Sequence, residues 1–146
     1  AKRRFQETEI GDNIIIDDYA HHPNEVKATI KAIKQKYPDK KIITVFQPHT
    51  FTRTKEFAED LVNVMSTVDK AYIMDIHPAR EKQEDYPDIT SDIILNNLPN
   101  GEHIALEDAH KFENIENTVV AFMSPNDLSV LEKQVIEMLE NKQNEI

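Results

Sequence analysis

Residues 14–33, IIIDDYAHHPNEVKATIKAI, decide the fold. Three isoleucines in a row read as a short buried strand, because a continuous apolar run suits a strand covered on both faces. Five polar or ionisable side chains follow: Asp17, Asp18, Tyr19, His21 and His22. Pro23 then suits the first position of a helix, where its missing N–H is no loss. Val26, Ile30 and Ile33 recur at helical spacing, and Lys34, Lys36 and Pro38 supply the stop.

Working outward, the same cycle repeats. Residues 41–46, 70–76, 103–106 and 118–123 read as strands, and residues 54–66, 89–97 and 126–142 as helices, with a short helical turn near 108–114. Alternation of strand and helix predicts an α/β three-layer sandwich, a mainly parallel sheet with helices on both faces. Residues 1–12 fit an edge strand or an interdomain linker, 13–142 one domain, and 143–146 a frayed tail.

Composition narrows the function. The chain of 146 residues has 39% hydrophobic and 30% charged residues, a globular balance. No stretch nears the ~18 to 20 apolar residues a membrane span needs. The net charge of -10 is spread along the chain, which disfavours nucleic acid as a partner. With no cysteine and no apolar signal segment, a cytoplasmic home is favoured. Only Gly11 and Gly101 occur, so neither a G-x-x-x-x-G-K-[ST] phosphate loop nor a G-x-G-x-x-G turn can form here. If this protein handles a nucleoside triphosphate, its main phosphate grip lies in another domain or chain.

The chemistry-bearing residues sit where loops leave the carboxyl ends of strands, the ligand-binding edge of an open parallel sheet. DDYAHHP follows one strand, QPHTFTRT the next, HPAR a third and SPND the last. Taking the first two strands as neighbours, about 4.8 Å apart, Asp17, Asp18, His21, His22, His49 and Arg53 face a common crevice. Plainer roles compete with that one. Asp17 and Asp18 suit a helix cap, the histidines suit surface filler, and Arg53 suits a salt bridge to a nearby loop. Yet a cation at a helix start is electrostatically misplaced unless an anion visits it. Arg80 and the acids after it read as a solvated loop.

Two segments in order, DDYAHHP and FQPHTFTRT, about 25 residues apart, resemble the C-terminal domain of the Mur ligases, whose alanine-adding branch carries D-D-Y-[GA]-H-H-P and F-Q-P-H-x-[FY]-[ST]-R-T. The resemblance implies a Rossmann-like module, the third domain of an ATP-dependent, amide-forming enzyme that joins L-alanine to UDP-N-acetylmuramate for peptidoglycan. It further implies ATP and Mg2+ as cofactors of the whole enzyme, and an N-terminal UDP-binding domain and a central ATPase domain as partners on the same polypeptide. Under it Arg4, with Arg3 beside it, matches an interdomain arginine that reaches the nucleotide, and Asp18 an aspartate that binds the ATP ribose. Tyr19, His49 and Arg53 border the alanine pocket, Arg53 pairing with the carboxylate, and His21 or His22 orients the amine or takes its proton.

Two departures stand out. Thr50 occupies a position where many members have arginine, and residues 124–127, SPND, replace a glycine-bearing loop. Other readings are a related ligase that attaches tripeptide, a small metal-binding hydrolase built on the histidines and aspartates, and a response-regulator-like module. The hydrolase lacks H-x-H or H-E-x-x-H spacing, and the signalling module lacks a late lysine in FMSPND.

Overall fold

A computed structural model describes residues 4–145 of the chain. Six strands form one sheet: β1 (Gln6–Ile10), β2 (Asn13–Asp18), β3 (Lys41–Phe46), β4 (Lys70–Ile73), β5 (Gly101–His103) and β6 (Thr118–Met123). Their order across the sheet is β1-β2-β6-β3-β4-β5, all neighbours parallel except the β1–β2 hairpin. Gly11, at φ +59, makes the tight link between β1 and β2. The three-layer α/β sandwich expected above is the fold that forms.

Side-chain alternation explains how both faces are filled. In β6, Val119, Ala121 and Met123 point to one layer, and Val120 and Phe122 to the other. In β2, Ile14 and Ile16 take the first side and Ile15 the second. The first layer holds α1 (Pro23–Lys36), α2 (Phe51–Met65) and the single-turn α3 (Asp92–Leu95), through Val26, Ile30, Ile33, Leu61, Met65 and Ile94. The second holds α4 (Ser129–Asn144), through Leu128, Leu131, Val135 and Leu139, beside Phe112 of a short 3-10 turn. Fully burying each large apolar side chain contributes about 1.5–3 kcal/mol, so the sheet centre dominates stability.

One expectation is corrected. β2 and β3 are not neighbours; β6 lies between them, in register with both. All six β6 residues are buried, which only a central strand requires. The side chain of Asn13 helps fix this order: its amide nitrogen donates to Ile115 O, and its oxygen accepts from Thr118 N. The strands at the two histidine loops therefore stand about 9–10 Å apart, twice the single spacing. Smaller differences occur at helix ends. α2 starts three residues earlier than expected, α3 is only Asp92–Leu95, and α4 continues through Asn144.

Candidate functional site

α1 and α2 lie side by side on one face, and this closes the gap that β6 opens. The ring of His22, at the start of α1, meets Phe57 of α2 edge-on, with centroids 4.8 Å apart. A cleft of about 370 Å3 results, lined by His21, His22, His49, Arg53, Glu56 and Phe57 over an apolar floor that includes Phe46 and Leu61. Of the six residues expected to face one crevice, His21, His22, His49 and Arg53 line this cleft, whereas Asp17 and Asp18 are not part of its lining. Asp18 and Tyr19 stand behind it: the Tyr19 ring meets His21 edge-on at 5.4 Å.

The β2 loop is held from within. His22 is the N-cap of α1, and its Nδ1 accepts from Asn24 N at 3.1 Å. Glu25 closes a reciprocal capping box: its Oε1 accepts from His22 N at 3.0 Å and from His21 N at 3.3 Å. Oε1 also lies 3.4 Å from His21 Nδ1, which donates to the Tyr19 carbonyl at 3.1 Å. Arg4 Nη2 stands 3.7 Å from Glu25 Oε2. Partial burial pushes the Glu25 carboxyl up, yet the His22 and His21 amides, with His21 and Arg4 nearby, hold it below the ordinary value overall.

Asp18 caps neither helix. It is 3% exposed; Oδ2 accepts from Phe5 N at 2.9 Å and Oδ1 from Ala20 N at 2.8 Å. The aspartate therefore brackets the incoming segment that carries Arg4 against the histidine loop. Arg3 lies outside the described residues.

The β3 loop is held from a distance. Thr50 is the N-cap of α2, its Oγ1 accepting from Arg53 N at 3.2 Å. Glu81, from the loop after β4, accepts from Phe51 N at 2.6 Å and Thr52 N at 3.1 Å through Oε1, while Oε2 accepts from Thr52 Oγ1. The solvated loop expected there is corrected by this contact. The first-turn amides of α2 are answered by the chain itself, so an incoming anion must look to side chains. Arg53 is exposed, and among the described residues no carboxylate pairs with it. Among the described residues the salt bridge weighed for Arg53 does not form, and Glu81 goes to backbone amides.

His49 lies deeper. Its ring stacks on His77, centroids 5.4 Å apart and planes within 10°, and its Nδ1 is buried without a hydrogen-bond partner. Burial pushes this imidazole below its ordinary value, and His77, Arg53 and His21 push the same way, against a smaller opposing contribution from Asn126. A neutral ring beside a free guanidinium is an arrangement for a small anion with an apolar body.

The two departures acquire roles. Thr50 caps α2, which an arginine could not do. In the 124–127 loop, buried Ser124 accepts from Asn126 N at 2.9 Å, and Asn126 Nδ2 donates to Gln47 Oε1 at 3.2 Å, tying the β6 loop to the β3 loop. Among the described residues no three His, Asp or Glu side chains gather to hold a metal ion.

An α/β sheet with a polar cleft beside the loops of β2 and β3 defines a module that receives a ligand at the carboxyl ends of its strands. The chain belongs to the Mur ligase family: residues 3–131 match its domain described as "Mur ligase, glutamate ligase domain". It is 47% identical over 128 residues to the UDP-N-acetylmuramate--L-alanine ligase of Lactobacillus acidophilus, covering 88% of this chain and 29% of that protein. With the ligase of the same name from Lactobacillus delbrueckii subsp. bulgaricus it shares 42% over 139 residues, 95% of this chain and 31% of the relative. The chain thus spans less than a third of the length of these relatives. Among solved structures, a murein peptide ligase from Psychrobacter arcticus superposes with a TM-score of 0.75 at 17% identity, covering 96% of this chain and 30% of that one. The UDP-N-acetylmuramate-alanine ligase from Thermotoga maritima does so with 0.70 at 20%, with the same coverage. At those identities the likeness concerns the fold.

Among the described residues no helix is long and apolar enough to cross a membrane.

Proposed function

We propose that this chain is the C-terminal domain of an ATP-dependent ligase that joins L-alanine to UDP-N-acetylmuramate, and that its cleft receives the alanine. The observation that carries the reading is the unpaired Arg53 guanidinium beside three imidazoles over an apolar floor. Identity above 40% to ligases of that name supports the choice of amino acid over the tripeptide alternative. Arg53 takes the carboxylate in a two-point contact. His49 borders the bound amino acid, Tyr19 acts from behind through its edge-on contact with the His21 ring, and His21 or His22 handles its amine.

In the proposed reaction ATP phosphorylates the muramate carboxylate. The alanine ammonium gives up one proton, and its nitrogen lone pair forms the C–N bond at the acyl phosphate carbon. The tetrahedral intermediate collapses, the C–O bond to phosphate breaks with its electron pair, and the nitrogen loses a second proton to give the amide. This domain contributes placement and exclusion of water from a hydrolysable intermediate. Arg4, and Asp18 through its hold on the segment bearing Arg4, serve the nucleotide end. The phosphate grip and Mg2+ belong to a central ATPase domain and the UDP moiety to an N-terminal one, since the described residues here do not fit a metal.

Steady-state kinetics on a full-length ligase carrying this domain test the reading. Arg53→Ala removes a charge-assisted contact worth about 1.5–3 kcal/mol, which raises the KM for L-alanine about ten- to hundred-fold, while the KM for ATP stays within about two-fold. Equal effects on both substrates would remove the assignment. The 146-residue chain alone is expected to form no product, and measurable ligation by it would overturn the fragment reading.

A further inference from the structure

His21 and His22 are adjacent, yet their hydrogen bonds force opposite protonation patterns. A backbone N–H can only donate, so His22 Nδ1, which accepts from Asn24 N, carries a lone pair. The neutral His22 ring therefore bears its proton on Nε2. A carbonyl can only accept, so His21 Nδ1, 3.1 Å from Tyr19 O, carries the proton. The neutral His21 ring keeps its lone pair on Nε2. Glu25 stands behind both patterns: one oxygen receives both backbone N–H groups and lies 3.4 Å from the His21 Nδ1 nitrogen, and the other faces Arg4.

We propose that Glu25 is a positioning residue that reinforces this tautomer split, its carboxylate 3.4 Å from His21 Nδ1 favouring the proton that Tyr19 O accepts there, so that His21 is the proton acceptor of the pair and His22 an N–H donor and helix cap. The proposal rests on the alanine-site reading for its catalytic meaning, while the split itself stands on hydrogen bonds alone. A carboxylate behind Nδ1 orients the ring and stabilises the imidazolium formed when Nε2 takes a proton, the arrangement general-base histidines require. In the ligase, His21 Nε2 takes the first proton of the alanine ammonium, freeing the nitrogen lone pair for attack. His22 cannot do so in its capped form, because its only lone pair is spent on Asn24 N. Arg4 shares the second oxygen of Glu25, so the segment entering the domain reaches the base through one carboxylate.

Two measurements test this. Two-bond 1H–15N correlation spectra of the histidine-labelled 146-residue chain read tautomers directly; His21 is expected as Nδ1–H and His22 as Nε2–H, and the same tautomer at both would overturn the split. In Glu25→Ala, His21 shifts toward Nε2–H, and an unshifted His21 would overturn the role of Glu25. Should the alanine variant fail to fold, Glu25→Gln keeps the amide acceptor while removing the charge. In the full-length ligase Glu25→Gln lowers kcat about ten-fold or more and leaves both KM values within about two-fold; an unchanged kcat would sink the catalytic part. A normal alanine KM in Arg53→Ala, by contrast, would sink the alanine-site reading and leave the tautomer result standing.

Discussion

The two helices that wall the cleft begin in different ways. α1 is capped by its own sequence: His22 takes Asn24 N, and Glu25, three residues on, returns to His22 N. α2 is capped partly from outside, because Glu81, about 30 residues away, takes two of its first-turn amides. A local cap forms as soon as its helix does. A borrowed cap forms only when the β4 loop has docked, so the geometry of Arg53 depends on tertiary structure whereas that of His21 does not.

The largest expected effect separates these cases. Glu81→Ala strips two amides of a charged acceptor and should destabilise the chain by about 2 kcal/mol, read as a lower urea midpoint with an unchanged slope. Glu25→Ala removes one half of a local capping box, and about 1 kcal/mol is expected. Urea titration of both variants decides the comparison. If Glu25→Ala proved the costlier by a clear margin, α2 would not depend on the distant carboxylate.

The same contrast explains what was legible in the sequence. The α1 boundaries were readable from Pro23, the isoleucine spacing and Pro38, all local signals. Its cap was written there too, as His22 followed by Glu25 three residues later, but imidazole is not among the usual capping groups, and the histidines read as ligand or filler. The start of α2 was misplaced because Phe51 and Thr52 suit a strand or loop as well as a helix, and the carboxylate that completes the cap lies across the fold. The place of β6 between β2 and β3 is a long-range matter as well, although its unbroken apolar run, TVVAFM, pointed to a central strand. The shared cleft survived that error because α1 and α2 pack on one face, as successive right-handed crossovers in one direction demand.

A smaller effect is expected in the pH dependence of stability. Burial holds the His49 imidazole below its ordinary value of 6.5, with His77, Arg53 and His21 adding to the shift. Between the folded and unfolded values the unfolded chain binds the extra proton, so stability is full above about 6.5 and declines as pH falls toward the depressed folded value. Glu7, Glu25 and Glu102 are held below their ordinary 4.5 and contribute in a separate, lower window, where stability is lost on further acidification. His49→Gln cannot titrate, and urea midpoints at pH 7.5 and 5.5 should differ less in it than in the parent chain. An equal difference in both would place the upper limb elsewhere.

The smallest effect concerns the one strained residue at the cleft. Thr50 has φ +66 and ψ 148, a conformation that side chains other than glycine rarely adopt. The cause is visible in the backbone: Thr50 N donates to His77 O at 2.8 Å and His77 N to Pro48 O at 2.9 Å, so the β3 loop stays paired to the β4 loop up to the helix start. Such strain costs about 1–3 kcal/mol. Thr50→Gly relieves it but adds about 0.4–1 kcal/mol of unfolded-chain entropy and loses a few tenths with the hydroxyl cap. With the strain near the low end of that range, the expected net change is under about 1 kcal/mol on the stabilising side. A loss of more than 1 kcal/mol would mean that the Thr50 hydroxyl holds Arg53 N more firmly than the backbone is strained, and the α2 cap would then be as local as that of α1.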